Sequence, residues 1–345
     1  MNATTIGLDI AKNIFHAHGV DERGQTVLRK VLKRAELLRY FANLPAALIG
    51  IEACSAAHFW ARELEKLGHQ VRLIPAQHVE PYRLGNKNDL NDAAAICEAL
   101  TRPGMRFAAI NSEAQQDMQM LHRLRSRLVS QRTALICQVR GLLAEYGIVF
   151  ALGRAKALHG LGDLLEDAEV RLSPLARQLI ADCVQEWRAL DGRIAGYDAL
   201  IRSQCSQDER SARLTELPGI GALTATALVA AVGNAAQYTS GRHLASSLGL
   251  PPGEHSSGGK QRLLGMSKRG NVYVRTLLIH GARSFLRFAH RRDDAFSRWA
   301  EGLMARKGRN IAAVAVANKL ARIAWVMLTR EVAFNPHHRI PQPGT

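Results

Sequence analysis

Thr4-Thr5-Ile6-Gly7-Leu8-Asp9-Ile10-Ala11-Lys12 is a short apolar run that closes on an acid. Its length and its β-branched and aliphatic content predict a buried strand over Thr4–Ile10, with Asp9 at the C-terminal end. His16–Val20 and Thr26–Leu32 read as its hairpin partners, joined through the turn-forming segment Asp21–Gly24. Ala46–Ile51 is a second buried strand and ends at Glu52. Ala56–Leu67 follows as a helix closed by Gly68, and Val71–Ile74 as a further strand stopped by Pro75. Three hairpin strands followed by a βαβ unit make a mixed α/β sheet. That order is the one expected of a ribonuclease-H-like fold, an analogy at this point.

Beyond this unit the hydrophobic period changes. Over Ser112–Tyr146, Leu121, Leu128, Leu135 and Leu142 recur every seventh residue and Leu124 adds a second position. Arg123, Arg125, Arg127 and Arg132 fall off that seam. Ser173-Pro174 supplies an N-cap and a first-turn proline for a second heptad pattern. That pattern has Ile180, Trp187, Ile194 and Ile201 on one position and Cys183, Leu190 and Tyr197 on the other. Two such helices describe an antiparallel hairpin or a coiled coil, serving either as an internal spacer or as a dimerisation arm. From Glu216 onward the chain reads as helices and loops. The expected division is an α/β domain over 1–110, a helical coiled-coil insert over 111–210, a mainly α domain over 211–332 and a flexible tail over 333–345.

Composition narrows the partners. The net charge is +16, and residues 241–345 hold 18 basic against 5 acidic side chains, which is 13 of that excess. A local cationic surplus of this kind favours a polyanion, because each neutralised phosphate releases condensed counterions. The five cysteines (Cys54, Cys97, Cys137, Cys183, Cys205) form no CxxC pair and read as buried thiols in a reducing compartment. The N-terminal residues lack the pattern of a signal peptide, and the apolar run Ile311–Leu328 is broken by Lys319 and Arg322, so it reads as a core helix. A soluble cytoplasmic protein, nucleoid-associated when bound to DNA and without a membrane partner, is expected.

Four acids stand out. Asp9 and Glu52 end two adjacent strands, and Asp89 and Asp92 lie three apart in Asn86-Lys87-Asn88-Asp89-Leu90-Asn91-Asp92. An i,i+3 pair at a helix start faces one way, so all four carboxylates can converge. Converged carboxylates repel one another unless hard cations lie between them, and Mg²⁺ or Mn²⁺ suits an all-oxygen set. Taken singly, each acid has an ordinary reading as a turn or capping residue. Leu217-Pro218-Gly219-Ile220-Gly221 resembles a helix-hairpin-helix turn, which presents backbone amides to a phosphate without reading sequence. In the segment Leu244–Arg275, Ser256-Ser257-Gly258-Gly259 is ringed by Lys260, Arg262, Lys268, Arg269 and Arg275. An exposed serine among cations suits attack on a phosphodiester, and a loop that binds phosphate without chemistry suits the same composition.

GLDIAK, GIEA, KNDLNDA, LPGIG and GLPPGEHSSGGKQRLLGMSKRGNVYVR, in this order, resemble the DEDD transposases of the insertion sequence one-ten family, in particular the branch related to the Coxiella insertion element. The resemblance runs from about Ile6 to Leu328. It implies an N-terminal RuvC-like domain, a coiled-coil insert and a C-terminal transposase domain. It also implies that Asp9, Glu52, Asp89 and Asp92 are the catalytic, metal-binding acids, with Mg²⁺ or Mn²⁺ as cofactor. Ser257, immediately before Gly258, matches the nucleophile, with Ser256 adjacent and chemically equivalent. Lys268, Gly270, Asn271 and Arg275 match the motif that follows, and Val274 stands where many relatives have leucine. The family further implies DNA ends and a target as substrates and a guide RNA encoded by the element. It implies a homo-oligomer, dimer or tetramer, in which the acids of one subunit work with the serine of another. Gly219, Gly221, Lys260, Arg262 and Arg269 complete the expected nucleic-acid surface.

Three other functions compete with this reading. A RuvC-type junction nuclease would use the same four acids to activate water and would not need Ser257. A non-catalytic nucleic-acid-binding protein would use only the basic C-terminal third. A sugar kinase or actin-like ATPase also begins with a strand ending GLDI, but AKNIFHAH after Asp9 lacks the small Gly/Thr loop that cradles phosphates.

Overall fold

In the computed structural model, residues 2–86, 88–149, 153–167, 169 and 172–336 are described. They form two compact units that divide between Glu113 and Ala114.

The first unit opens with β1 (Thr5–Ile10), β2 (Ile14–Val20) and β3 (Thr26–Lys33), an antiparallel meander. The β2–β3 turn is built on Asp21, whose Oδ1 accepts from the amides of Arg23 and Gln25, both at 2.9 Å. Then follow α1 (Leu37–Ala42), β4 (Leu48–Glu52), α2 (Ala57–Lys66), β5 (Gln70–Ile74), the single turn α3 (Ala76–Val79) and α4 (Asp89–Leu100). The sheet order is β3-β2-β1-β4-β5, with β4 and β5 parallel to β1. Every strand expected from the sequence is present, within about two residues at its ends. α1 was not legible: its N-cap, Glu36, makes no side-chain cap bond, and only Leu37 and Phe41 are buried in it.

Strand alternation puts Ile6 and Leu8 on one face with Ile49, Ile51, Phe15 and Trp60, and Gly7 on the other. Gly7 and Gly50 are what let α4 lie on that second face. A Cβ on Gly7 would overlap the Ala93 carbonyl oxygen and the Cys97 backbone, and one on Gly50 would press on Ile96 and Leu100. Gly7→Ala is therefore expected to lower the stability of this unit by about 3 kcal/mol or more, because the obstruction is helix backbone and cannot rotate away. A denaturation midpoint within error of the parent would refute this account of the packing.

The second unit contains α5 (Glu113–Ala144, from Ala114 on), α6 (Arg154–Glu166) and α7 (Pro174–Gln207). The Ser173 hydroxyl accepts from the Ala176 amide at 3.1 Å, so the expected cap on α7 is made. Arg125 pairs with Asp198 at 2.5 Å and Arg132 with Asp191 at 2.7 Å. The paired positions rise on one helix as they fall on the other, so α5 and α7 are antiparallel. On α7, Ile180, Trp187, Ile194 and Ile201 are all buried, as the seven-residue repeat predicts. On α5 the repeat misleads: Leu128 and Leu135 are buried, but Leu142 is 49 % exposed and its place is taken by Val139 and Leu143. A straight helix drifts roughly 20° per heptad against a strict seven-residue repeat, and the buried stripe has moved accordingly.

The rest of this unit is α8 (Glu209–Leu214), α9 (Ala222–Val232), α10 (Gly241–Ser247), a hairpin of β6 (Pro252–Glu254) and β7 (Leu263–Met266), α11 (Val272–Phe288), α12 (Ala295–Lys307) and α13 (Arg309–Arg330). By length and composition α13 is apolar enough to cross a membrane. Its stripe of Ala313, Val316, Ala317, Leu320, Ala321 and Ala324 is instead buried in the largest apolar cluster of the unit, which fits the expected core helix. The hairpin β6–β7 was not foreseen. Of the tail expected to be flexible, residues 337–345 lie outside the described residues, while the Phe334 amide donates to Glu216 Oε2 at 3.0 Å.

Candidate active site

Gly7 and Asp9 share a face of β1, and Gly50 and Glu52 share the same face of β4. The glycines seat α4, and the acids two residues later lie under its N-terminus. That terminus is fixed by Asn88, an extended residue whose Oδ1 accepts from the Asn91 amide at 2.8 Å, and it carries Asp89 and Asp92 in the first turn. One packing arrangement thus brings the four predicted acids together. Asp9 registers the result: its carboxyl is pushed up from 3.8 to about 6, first by burial and then by the charges of Asp89, Asp92 and Glu52, against a smaller opposing influence of His16.

His16 and Arg83 belong to this site and were missed in the sequence. In the β1–β2 ladder His16 stands directly opposite Asp9. Its Nδ1 lies 3.6 Å from Asp89 Oδ2, and one donor atom from each of Asp9, His16 and Asp89 falls within 4.8 Å of the others. That Nδ1 is buried without a hydrogen-bond partner. An unsatisfied buried imidazole nitrogen beside converged carboxylate oxygens makes a mixed nitrogen–oxygen donor set that fits a divalent cation at this point. Arg83 Nη1 meets Asp92 Oδ1 at 3.1 Å and neutralises one of the four charges.

In the second unit, β6 and β7 extend into a hairpin whose tip is Ser257-Gly258-Gly259-Lys260. The Lys260 amide donates to the Ser257 carbonyl at 3.0 Å, and Gly258 and Gly259 have φ of +56° and +75°. Positive φ at both central positions is the signature of a type I′ turn, which glycine adopts without strain. The Ser256 hydroxyl is engaged: it donates to Glu254 Oε1 at 2.6 Å and accepts from the Arg262 amide at 3.0 Å. Ser257 is exposed, and its hydroxyl makes no hydrogen bond among the described residues.

Two family models match this chain: the DEDD transposase model of the IS110 type over residues 6–148, and that described as "Transposase IS116/IS110/IS902 family" over residues 211–298. A "Probable family 20 transposase" of Pseudomonas aeruginosa is 47 % identical, covering 97 % of this chain and 100 % of that protein. The chain belongs to the IS116/IS110/IS902 transposase family. The "Transposase for insertion sequence element IS1111A" of Coxiella burnetii is 42 % identical over 95 % of this chain and 90 % of its own length. That for IS1328 of Yersinia enterocolitica is 39 % identical over 97 % and 99 %. Transposases are enzymes that cut and rejoin DNA, and the DEDD-type domain points to a divalent-metal requirement.

Not every residue expected at the nucleic-acid surface of the transposase is there. Arg275 is only 6 % exposed, and its Nη1 donates to the carbonyls of Leu248 and Arg269, both at 2.9 Å. It braces the Ser267–Gly270 turn from inside, because a buried guanidinium must spend its donors on protein acceptors. Asn271 caps α11, its Oδ1 accepting from the Val274 amide at 3.1 Å. Gly270, at φ +78°, allows the chain to press on the Ser247 carbonyl, and Gly219, at φ +94°, packs on the backbone of Gly281. Of these four only Arg275 lies behind the surface; Gly270 and Asn271 are exposed and Gly219 is partly exposed. Lys260, Arg262, Lys268 and Arg269 are exposed and pair with no acid among the described residues. Gly221 is the N-cap of α9.

Proposed function

We propose that this transposase cuts and rejoins the ends of its insertion element through a covalent bond between Ser257 and DNA, with Asp9, Glu52, Asp89 and Asp92 as ligands of Mg²⁺ or Mn²⁺. The observation that carries the reading is the convergence of the four acids on Asp9, a charge arrangement that is costly without a cation. The sheet order β3-β2-β1-β4-β5 supports a ribonuclease-H-like, RuvC-like reading of the first unit. The paired long helices α5 and α7 support a coiled-coil arm for assembly. In cutting, the Ser257 Oγ–P bond forms as a P–O bond of the strand breaks, and the leaving oxygen takes up a proton while Ser257 loses one. Attack on that phosphorus by the hydroxyl of the strand to be joined releases the serine. Bond number is conserved throughout, so no ATP is consumed. Lys260 and Arg262 flank the tip and hold the phosphate by charge. A bound divalent pair would polarise the phosphate and stabilise the departing oxygen. Pairing of an element-encoded guide RNA with donor and target DNA, and a dimer or tetramer in which one subunit's acids serve another's serine, complete the proposal.

The decisive experiment combines the protein, Mg²⁺, the element's DNA ends and its flanking RNA, followed by mass spectrometry of covalent adducts. An adduct on Ser257 supports the reading. Free ends without an adduct would assign the acids to a water-activating nuclease. The ligand site has its own signature. Asp9 must lose its proton to bind a cation, so Mn²⁺ affinity is expected to fall as pH drops through about 6. Calorimetric titrations at pH 5 and 7.5 that gave equal affinities would remove Asp9 from the ligand set.

A further inference from the structure

We propose that the outer face of α11 is a seat for the DNA backbone, running from a groove at Leu217–Gly221 to Arg291. This rests on the reading above only in taking DNA as the substrate held at the serine hairpin.

α11 is sharply two-sided. Val274, Leu278, Ala282, Phe285 and Leu286 are buried, while Thr276, His280, Arg283, Ser284, Arg287 and Phe288 are exposed. Its sequence contains no acid. Arg283 and Arg287 are one turn apart, and Arg291 follows by the same interval in the short turn after the helix, so cations recur about every 6 Å along one line. Neighbouring cations are spent on acids: Arg292 pairs with Asp294, and Arg298 with Asp293. Arg283, Arg287 and Arg291 have no acidic partner among the described residues. The guanidinium carbons of Arg287 and Arg291 lie 5.4 and 5.2 Å from the ring centroid of exposed Phe288. Held over a ring in this way, they lose less freedom on meeting a phosphate than solvated arginines would.

At its other end the stripe meets the Gly219 turn. Gly219 and Gly281 approach backbone to backbone, which lowers the turn against α11 and leaves a groove of about 430 Å³ whose lining includes Gly219, Gly221, His280 and Ser284. Gly221 caps α9 without a side chain, so the first amides of that helix open into the same groove. A phosphate there would meet backbone N–H groups, the Ser284 hydroxyl and the His280 imidazole, and its neighbours would fall along Arg283, Arg287 and Arg291. None of these groups reads a base edge, so the contact is independent of sequence. α11 begins at Val272, after Lys268-Arg269-Gly270-Asn271, and its 17 residues reach about 25 Å, so the seat leads away from the serine hairpin along the flanking strand.

The test measures binding of full-length protein to a random-sequence 30-base-pair duplex across a salt series. The variant is Arg283→Gln/Arg287→Gln/Arg291→Gln, with Ser257→Ala alongside. The triple variant is expected to melt as the parent does, to bind at least tenfold more weakly at 0.1 M salt and to lower the salt slope by roughly 2 to 3, near 0.9 for each phosphate released. Ser257→Ala should keep both affinity and slope. An unchanged slope in the triple variant would overturn the proposal, as would a loss seen with a structured RNA but not with the duplex. Absence of a covalent adduct in the parent protein would count against the serine reading alone.

Discussion

Asparagine in place of Asp9 is expected to abolish DNA strand cleavage, by roughly 10³-fold or more, and to leave the metal-free protein at least as stable as the parent at pH 7.5. The two halves of this outcome have one cause. Burial and three neighbouring carboxylates hold Asp9 at about 6, above its unfolded value of 3.8. A carboxyl with a raised native value favours the protonated fold, so its contribution is fully present below about 3.8 and is lost as pH rises towards 6. At neutral pH the ionised group therefore works against the fold, and an uncharged isostere removes that opposition. Cleavage of end-labelled DNA and thermal melting read the two effects separately. Intact cleavage would take Asp9 out of the chemistry, and a clear drop in melting temperature would show that Asp9 is a structural residue. Asp92→Asn should lose cleavage as well, but it also deprives Arg83 of its partner, so some stability should go with it.

Ser257→Ala is expected to eliminate covalent protein–DNA adducts while duplex binding persists. Ser256→Ala should retain the adduct. The neighbouring hydroxyls differ in what they already do: Ser256 closes the hairpin between Glu254 and Arg262, whereas Ser257 has no competing bond. Losing the Ser256 bonds should loosen the tip and slow adduct formation, by an amount on the order of fivefold for about 1 kcal/mol of positioning. Adducts that survived Ser257→Ala and disappeared in Ser256→Ala would shift the nucleophile by one residue.

The sheet and the four acids were legible because each depends on local pattern. Apolar runs ending at Asp9 and Glu52 mark strands, and Asn88 with Asp89 and Asp92 marks a helix start. His16 was hidden because its importance comes from cross-strand register: nothing in His16-Ala17-His18 says which histidine will face an acid on β1. Arg83 was hidden for a similar reason, lying in an irregular segment placed only by tertiary contact. Arg275 misled in the opposite direction. Among Lys268, Arg269 and Arg275 the sequence offers three equivalent cations, and only the fold turns one of them inward. The heptads of α5 overstated their regularity because leucines at a fixed interval say nothing of how a straight helix rotates past its neighbour.

The pairing of Gly7 with Asp9 and of Gly50 with Glu52 has a bearing on how copies of such an element decay. On the proposed reading, a copy that loses Asp9 is expected to keep its packing and its basic surfaces, and so its hold on DNA, while losing cleavage. A copy that acquires a side chain at Gly7 is expected to lose the seat of α4 and, with it, much of the stability of the first unit. Positions two residues apart on one strand thus lead to opposite fates, a folded but inactive protein or a destabilised one.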